Sequence, residues 1–158
     1  MSKAFTKEDS DAGFTLEAAR PHGRVSAGLV TPLGSRLARE RLASISARLV
    51  DPSHVAEGAA LELERDRLAP IATAKVAPPP THPLVVAFGA SVRVRDSTGK
   101  ERVVFVASAG EMGLVPHAAS ATSPIARALI GARTGDAVEV DGPRGTDELT
   151  VLEVRFPS

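Results

Sequence analysis

Apolar positions change their spacing twice along the chain, and those changes divide it. Residues 1–28 keep neither a helical nor a strand period, mixing Lys3, Lys7, Glu8, Asp9 and Asp11 with Gly13, Pro21, Gly23 and Gly28. They predict a disordered tail, with Phe5 and Phe14 as candidate anchors for a partner. A helix start follows at Thr31-Pro32, where Thr caps and Pro suits the first helical position. From Ser35 to Leu49 there is no Pro or Gly, and Ala38, Leu42, Ile45 and Leu49 recur at spacings of 4, 3 and 4. That is the seam of a helix pair. At Val50-Asp51-Pro52-Ser53 the chain turns, with Asp51 placed to cap a second helix from Ser53 to Ala69, which Pro70 should stop. Ala60, Leu61, Leu63 and Leu68 supply its apolar stripe.

The two helices differ in charge. Arg36, Arg39, Glu40, Arg41 and Arg48 give the first a net +3, while Glu57, Glu62, Glu64, Arg65, Asp66 and Arg67 give the second a net −2. Antiparallel packing sets a basic edge against an acidic one. The short connection leaves only a hairpin, with arms of roughly 15 residues a side, ~20–25 Å long. Five of the twelve prolines then fall between Pro70 and Pro83, so residues 71–83 read as a stiff, extended linker.

From Leu84 the period becomes two. Strands are predicted over Leu84–Phe88, Ser91–Arg95, Arg102–Ala107, Gly113–Val115, Ala137–Val140 and Glu148–Phe156. Asp96-Ser97-Thr98-Gly99 and Gly142-Pro143-Arg144-Gly145 mark hairpin turns, and Gly89 a sharp bend. One helix interrupts them: Ser123 caps, Pro124 takes the first position, and Gly131 closes it. The expected class is α+β, an antiparallel helical hairpin followed by a small antiparallel sheet carrying one short helix.

Composition narrows the function. Lys plus Arg and Asp plus Glu number 19 each, a balance ill suited to wrapping duplex DNA. The chain has no Cys, Trp or Tyr, which excludes thiol catalysis, Cys-ligated metals and most base-stacking platforms. No apolar run reaches the ~20 residues of a membrane helix and no signal-peptide pattern opens the chain, so a soluble, cytoplasmic protein is expected. His22, His54, His82 and His117 show no ligand spacing. Ser123 has no base beside it and already serves as a cap. Asp136 fits a turn after Gly135.

One stretch carries a family signature. Ser123-Pro124-Ile125-Ala126-Arg127-Ala128-Leu129-Ile130-Gly131, followed by Gly135-Asp136 and a strand, closely resembles the C-terminal domain of the GreA/GreB transcript-cleavage factors. Phe88-Gly89-Ala90-Ser91-Val92-Arg93-Val94 resembles the family's opening strand. Gly142-Pro143-Arg144-Gly145 and Leu149 to Val154 resemble its late turn and closing strand, and Val30-Thr31-Pro32-Leu33-Gly34 the start of its first arm helix. The resemblance covers about residues 29–158, most strongly from residue 84.

The resemblance implies a coiled-coil hairpin over residues 29–70 and an FKBP-like domain over 84–158. It also implies binding to bacterial RNA polymerase, with the C-terminal domain on the rim of the secondary channel and the hairpin inside it. On this basis Thr122, Ser123, Pro124, Ile125 and Arg127 are the expected partner-binding residues. In the family, an Asp-x-x-Glu-Asn motif at the arm tip helps hold a catalytic Mg²⁺ of the polymerase, which then hydrolyses backtracked RNA.

Two features depart from that pattern. The family arm is about twice as long, and each ten residues lost per helix withdraw the tip by ~15 Å. The acids nearest the turn, Asp51 and Glu57, stand six apart rather than three, ~240° apart around a helix. Metal ligation tolerates no such gap. A monomeric polymerase-binding elongation regulator is therefore expected, similar in plan to the short-armed relative Rnk, probing nucleic acid only through the polymerase. It is not itself an enzyme, has no cofactor of its own and does not stimulate cleavage. A cleavage factor using Asp51 and Glu57 with the polymerase's Mg²⁺, and a free-standing interaction module, are the alternatives. Prolyl isomerase activity, which the fold brings to mind, lacks an aromatic pocket: the domain offers only Phe88, Phe105 and Phe156.

Overall fold

Side-chain caps start the first and last α-helices in the computed structural model, which describes residues 28–158. The expected tail therefore lies outside the described residues, apart from Gly28. Strand β1 (Leu29–Val30) leads into α1 (Pro32–Val50), where Thr31 Oγ1 accepts the Gly34 amide at 3.0 Å. A 3₁₀ turn (Pro52–Glu57) reverses the chain, α2 (Gly58–Thr73) returns, and β2 (Lys75–Val76) pairs parallel with β1. The two arm helices thus begin and end on one small ladder.

The seam runs as the spacing predicts. Ala38 and Ile45 are fully buried, with Leu42 and Leu49 packed on the same cluster. On α2 only Leu61 and Leu68 of the expected stripe are inside; Ala60 is exposed and Leu63 is 74% exposed. Leu63 lies two positions from Leu61, ~200° around the helix, so both cannot face α1. Across the pair, Arg41 donates to both oxygens of Glu64 at 2.8 and 3.1 Å.

Three expectations about this half need correcting. The second helix does not start at Ser53, because reversing the chain between packed helices needs a turn tighter than an α-helix. Pro70 does not stop α2, which continues through Thr73. The missing amide lies on an exposed residue, while Ile71 and Ala72 just beyond it are buried. Their burial offsets the ~3 kcal/mol that an interior proline costs. The hairpin accordingly extends beyond residue 70 and the stretch without regular structure begins at Ala77, not residue 71.

The second half is a five-stranded sheet. Its strands are β3 (Ser91–Arg95), β4 (Glu101–Ala107), β5 (Ala118–Ser120), β6 (Ala137–Gly142) and β7 (Gly145–Arg155), in the order β5-β4-β3-β7-β6. All neighbours are antiparallel except β4 and β5, so the expected all-antiparallel sheet is mixed. Both hairpin turns stand where they were expected. Asp96 Oδ1 accepts the amides of Thr98 and Lys100 at 2.9 and 3.0 Å, and Gly142 pairs with Gly145.

Two expected strands are absent. Leu84–Phe88 forms only an isolated bridge from Val85 to Arg133, with Val86 bonded to the loop after the short helix. Turns on either side, at Leu84 and at Gly89 with φ +86°, leave it too short for a ladder. Gly113–Val115 is a turn beside a 3₁₀ turn (Ala109–Glu111), and the real strand is β5.

Strand β4 explains how the halves join. Val104, Phe105, Val106 and Ala107 are all buried, a run that a one-sided sheet would not allow. Val104 and Val106 enter the core under α3 (Pro124–Leu129), with Ala126 and Leu129. Phe105 and Ala107 face the other way, packing with Val115 against Leu33 and Leu37 of α1. The arm base is therefore docked on the sheet face opposite α3.

Ser35, at that base, is 2% exposed, and among the described residues its hydroxyl has no partner. A buried hydroxyl without a bond costs about 1 kcal/mol or more. Ser35→Ala is expected to raise stability by about that much in urea denaturation.

Candidate functional site

The arm tip and the α3 entrance hold the residues singled out by sequence. At the tip, Asp51 ends α1 and caps the 3₁₀ turn. Its Oδ1 accepts the Ser53 amide at 2.9 Å and the Ser53 hydroxyl at 2.8 Å. Glu57 accepts a hydrogen bond from Arg48, and His54 Nδ1 lies 3.6 Å from the same carboxylate. Each tip acid is thus tied to a different local partner. Among the described residues no group of three His, Asp or Glu side chains is placed to hold a metal ion. Beside them Val50 and Val55 are 81% and 78% exposed, so the tip presents apolar surface.

The α3 entrance is built differently. Ser123, with φ −68° and ψ 153°, accepts the Ala126 amide on its side chain at 3.3 Å, and Pro124 takes the first position. Ala126 and Leu129 are fully buried, which fixes the helix to the core. Thr122, Pro124 and Arg127 are exposed, and Ser123 and Ile125 half-buried. Thr122 Oγ1 and Ser120 Oγ lie 2.9 Å apart and bond to each other. The result is a rigid, proline-stiffened corner with one guanidinium, for which no carboxylate lies within 4.0 Å among the described residues. The hydroxyls of Ser123 and Thr122 are engaged, the first by the Ala126 amide and the second with Ser120. Asp136 Oδ2 accepts the Arg133 amide at 2.9 Å, as its place in a turn suggested.

Sequence reading missed the residue that joins the halves. Glu111 is 0% exposed. Its Oε1 accepts the Thr31 amide at 3.0 Å and the Thr31 hydroxyl at 2.5 Å, across 80 residues of chain. Its Oε2 accepts the Ser108 amide at 2.8 Å and the Ser108 hydroxyl at 2.6 Å. The signal was present: Ser108-x-x-Glu111 is a capping-box spacing. What the local pattern did not carry is that the glutamate also serves a distant helix.

Comparison with known proteins places this geometry. Residues 81–156 match the family model described as "Transcription elongation factor, GreA/GreB, C-term". The chain is 38% identical over 72 residues to the transcription elongation factor GreA of Halorhodospira halophila, covering 45% of this chain and 46% of that protein. It is 37% identical over 71 residues to the transcription elongation factor GreB of Neisseria meningitidis, covering 45% and 44%. The chain thus matches about half the length of these curated relatives. Among solved structures it is similar to the GreA factor homolog 1 (Gfh1) of Thermus thermophilus, at 27% identity over 80% of this chain and 97% of that one, with a TM-score of 0.41.

Two arm carboxyls are held below the usual carboxylate range, Asp51 by the Ser53 amide and hydroxyl and Glu64 by Arg41. Both bind protons less readily folded than unfolded, so their stabilisation is present above the ordinary carboxylate pKa and is lost as pH falls through the lowered values. Arm helicity, followed by circular dichroism, is expected to fall below about pH 4. Glu64→Gln and Asp51→Asn together flatten that decline, and an unaltered acid limb would refute the assignment.

Proposed function

We propose, from the match of residues 81–156 to the GreA/GreB C-terminal domain, that the chain is a polymerase-binding regulator of that family without cleavage-stimulating activity. The α3 corner of the FKBP-like domain, Thr122, Ser123, Pro124, Ile125 and Arg127, sits on the rim of the secondary channel of RNA polymerase. The coiled-coil arm enters the channel. The protein acts in the cytoplasm as a monomer, holds no cofactor of its own and performs no catalysis. Its contact with RNA is only through the polymerase.

The observation that carries this reading is the family match itself, which spans the Ser123–Gly131 segment and every strand of the sheet. The absence of cleavage follows from the tip. In two-metal hydrolysis an added carboxylate works only in direct or one-water contact with the ion. Asp51 is engaged by Ser53 and Glu57 by Arg48, and the two side chains answer to different partners. Reach is the second obstacle. At 19 residues α1 rises ~28 Å, still well short of an arm twice the length expected from sequence.

The decisive experiment is a stalled, backtracked polymerase complex incubated with the protein. Binding in a pull-down, with RNA cleavage at the buffer level and slower cleavage by a full-length Gre factor, is the expected outcome. Strong cleavage that disappears in Asp51→Ala or Glu57→Ala would install the cleavage-factor reading instead, and no binding at all would leave an interaction module. Replacing Pro124 and Ile125 together with alanine is expected to weaken polymerase binding about tenfold or more while the domain stays folded. Unchanged affinity in the folded double variant would remove the α3 corner from the interface.

A further inference from the structure

Two kinds of buried contact join the arm to the sheet domain, beside an exposed hydrogen bond from Arg36 Nε to the Ser158 carbonyl at 3.3 Å. Leu33 and Leu37 pack on Phe105, Ala107 and Val115, and Leu114 joins the arm's own core. Apolar contact of this sort is non-directional, so it holds the arm base down without fixing its angle. The Glu111 carboxylate is directional. Its two oxygens receive four donors, two from Thr31 at the start of α1 and two from Ser108 in the sheet domain. The same Thr31 hydroxyl also accepts the Gly34 amide, so the bond reaches into the first turn of the helix. Steric fit closes the arrangement: a Cβ on Gly34 would stand 1.8 Å from Glu111 Oε1.

We propose that Glu111 is a positioning residue that locks the arm's direction to the polymerase-binding domain, so that docking α3 on the rim already aims the tip. This rests on the reading given above. Only a carboxylate fits, because all four partners donate. A glutamine would turn its amide toward one pair, and a backbone amide there cannot reverse. An alanine leaves four buried donors unmet. If the freed arm spends a tenth of its time in the competent direction, apparent affinity for polymerase falls about tenfold.

The chain has no cysteine, so Ser46→Cys on α1 and Glu139→Cys on β6 can carry a single pair of nitroxide labels on the 158-residue chain. Pulsed dipolar spectroscopy is expected to give one narrow distance in the labelled parent. Glu111→Ala and Gly34→Ala broaden it into several distances, Glu111→Gln lies between, and polymerase affinity drops about tenfold in the alanine variant. Where Glu111→Ala fails to fold, Thr31→Val and Thr31→Ser decide: valine broadens the distance and serine, which keeps the hydroxyl, restores it. A narrow parental distance in folded Glu111→Ala, or identical distances for the two Thr31 variants, overturns the lock. A labelled parent that does not bind polymerase overturns the functional reading, while the distances still judge the lock.

Discussion

A carboxylate removed from water must find hydrogen-bond donors for both oxygens or destabilise whatever buries it. Glu111 meets that demand with donors from two parts of the chain, and much of the arrangement follows. Ser108 must stand three residues before it, Thr31 must sit at the start of α1, and position 34 must be glycine to leave room. The negative charge lies at the N-terminal ends of α1 and of the 3₁₀ turn, where exposed amides make the local field positive. Capping and domain docking are thus one interaction. A chain that lost it would have to re-solvate four donors at the joint.

Beyond the joint, the arm is secured by ordinary means, and its tip acids serve local bonds. Ala38, Ile45, Leu61 and Leu68 fill the seam, and the Arg41–Glu64 pair ties the helices at mid-length. The carboxylates nearest the turn are used to build the turn: Asp51 caps it and Glu57 answers Arg48. The same economy leaves Val50 and Val55 in solvent at the far end.

Much of this was legible from the residues alone, because periodicity and caps are local. The Ala38–Ile45 spacing, the Thr31-Pro32 and Ser123-Pro124 helix starts and the Asp96 and Gly142 turns each depend on fewer than a dozen neighbouring residues. What was not legible depends on distant partners. Pro70 is tolerated because Ile71 and Ala72 are buried at the foot of the arm. Ala118–Ser120 has weak strand propensity and becomes β5 because β4 offers it a ladder. Leu84–Phe88 has strong propensity but finds only the loop after α3. The start of α3 was readable from Ser123 and Pro124, whereas nothing near Glu111 in the chain announces its bonds to Thr31.

The alternation along β4 gives the joint its mechanical meaning. Val104 and Val106 point into the core that holds α3, and Phe105 and Ala107 point to the foot of the arm. The α3 helix and the arm base are therefore on opposite faces of one sheet, separated by the thickness of a single strand. The α3 helix and the foot of the arm therefore share β4 as their common support. Directional bonds at Glu111 then turn contact into alignment: the apolar patch under Leu33 and Leu37 tolerates rolling, and the carboxylate does not. A sheet domain and a hairpin joined only by Ala77 to Pro83 would be two objects on a tether. With Glu111 between them they act as one lever, whose angle is held by the buried bonds of that side chain to Thr31.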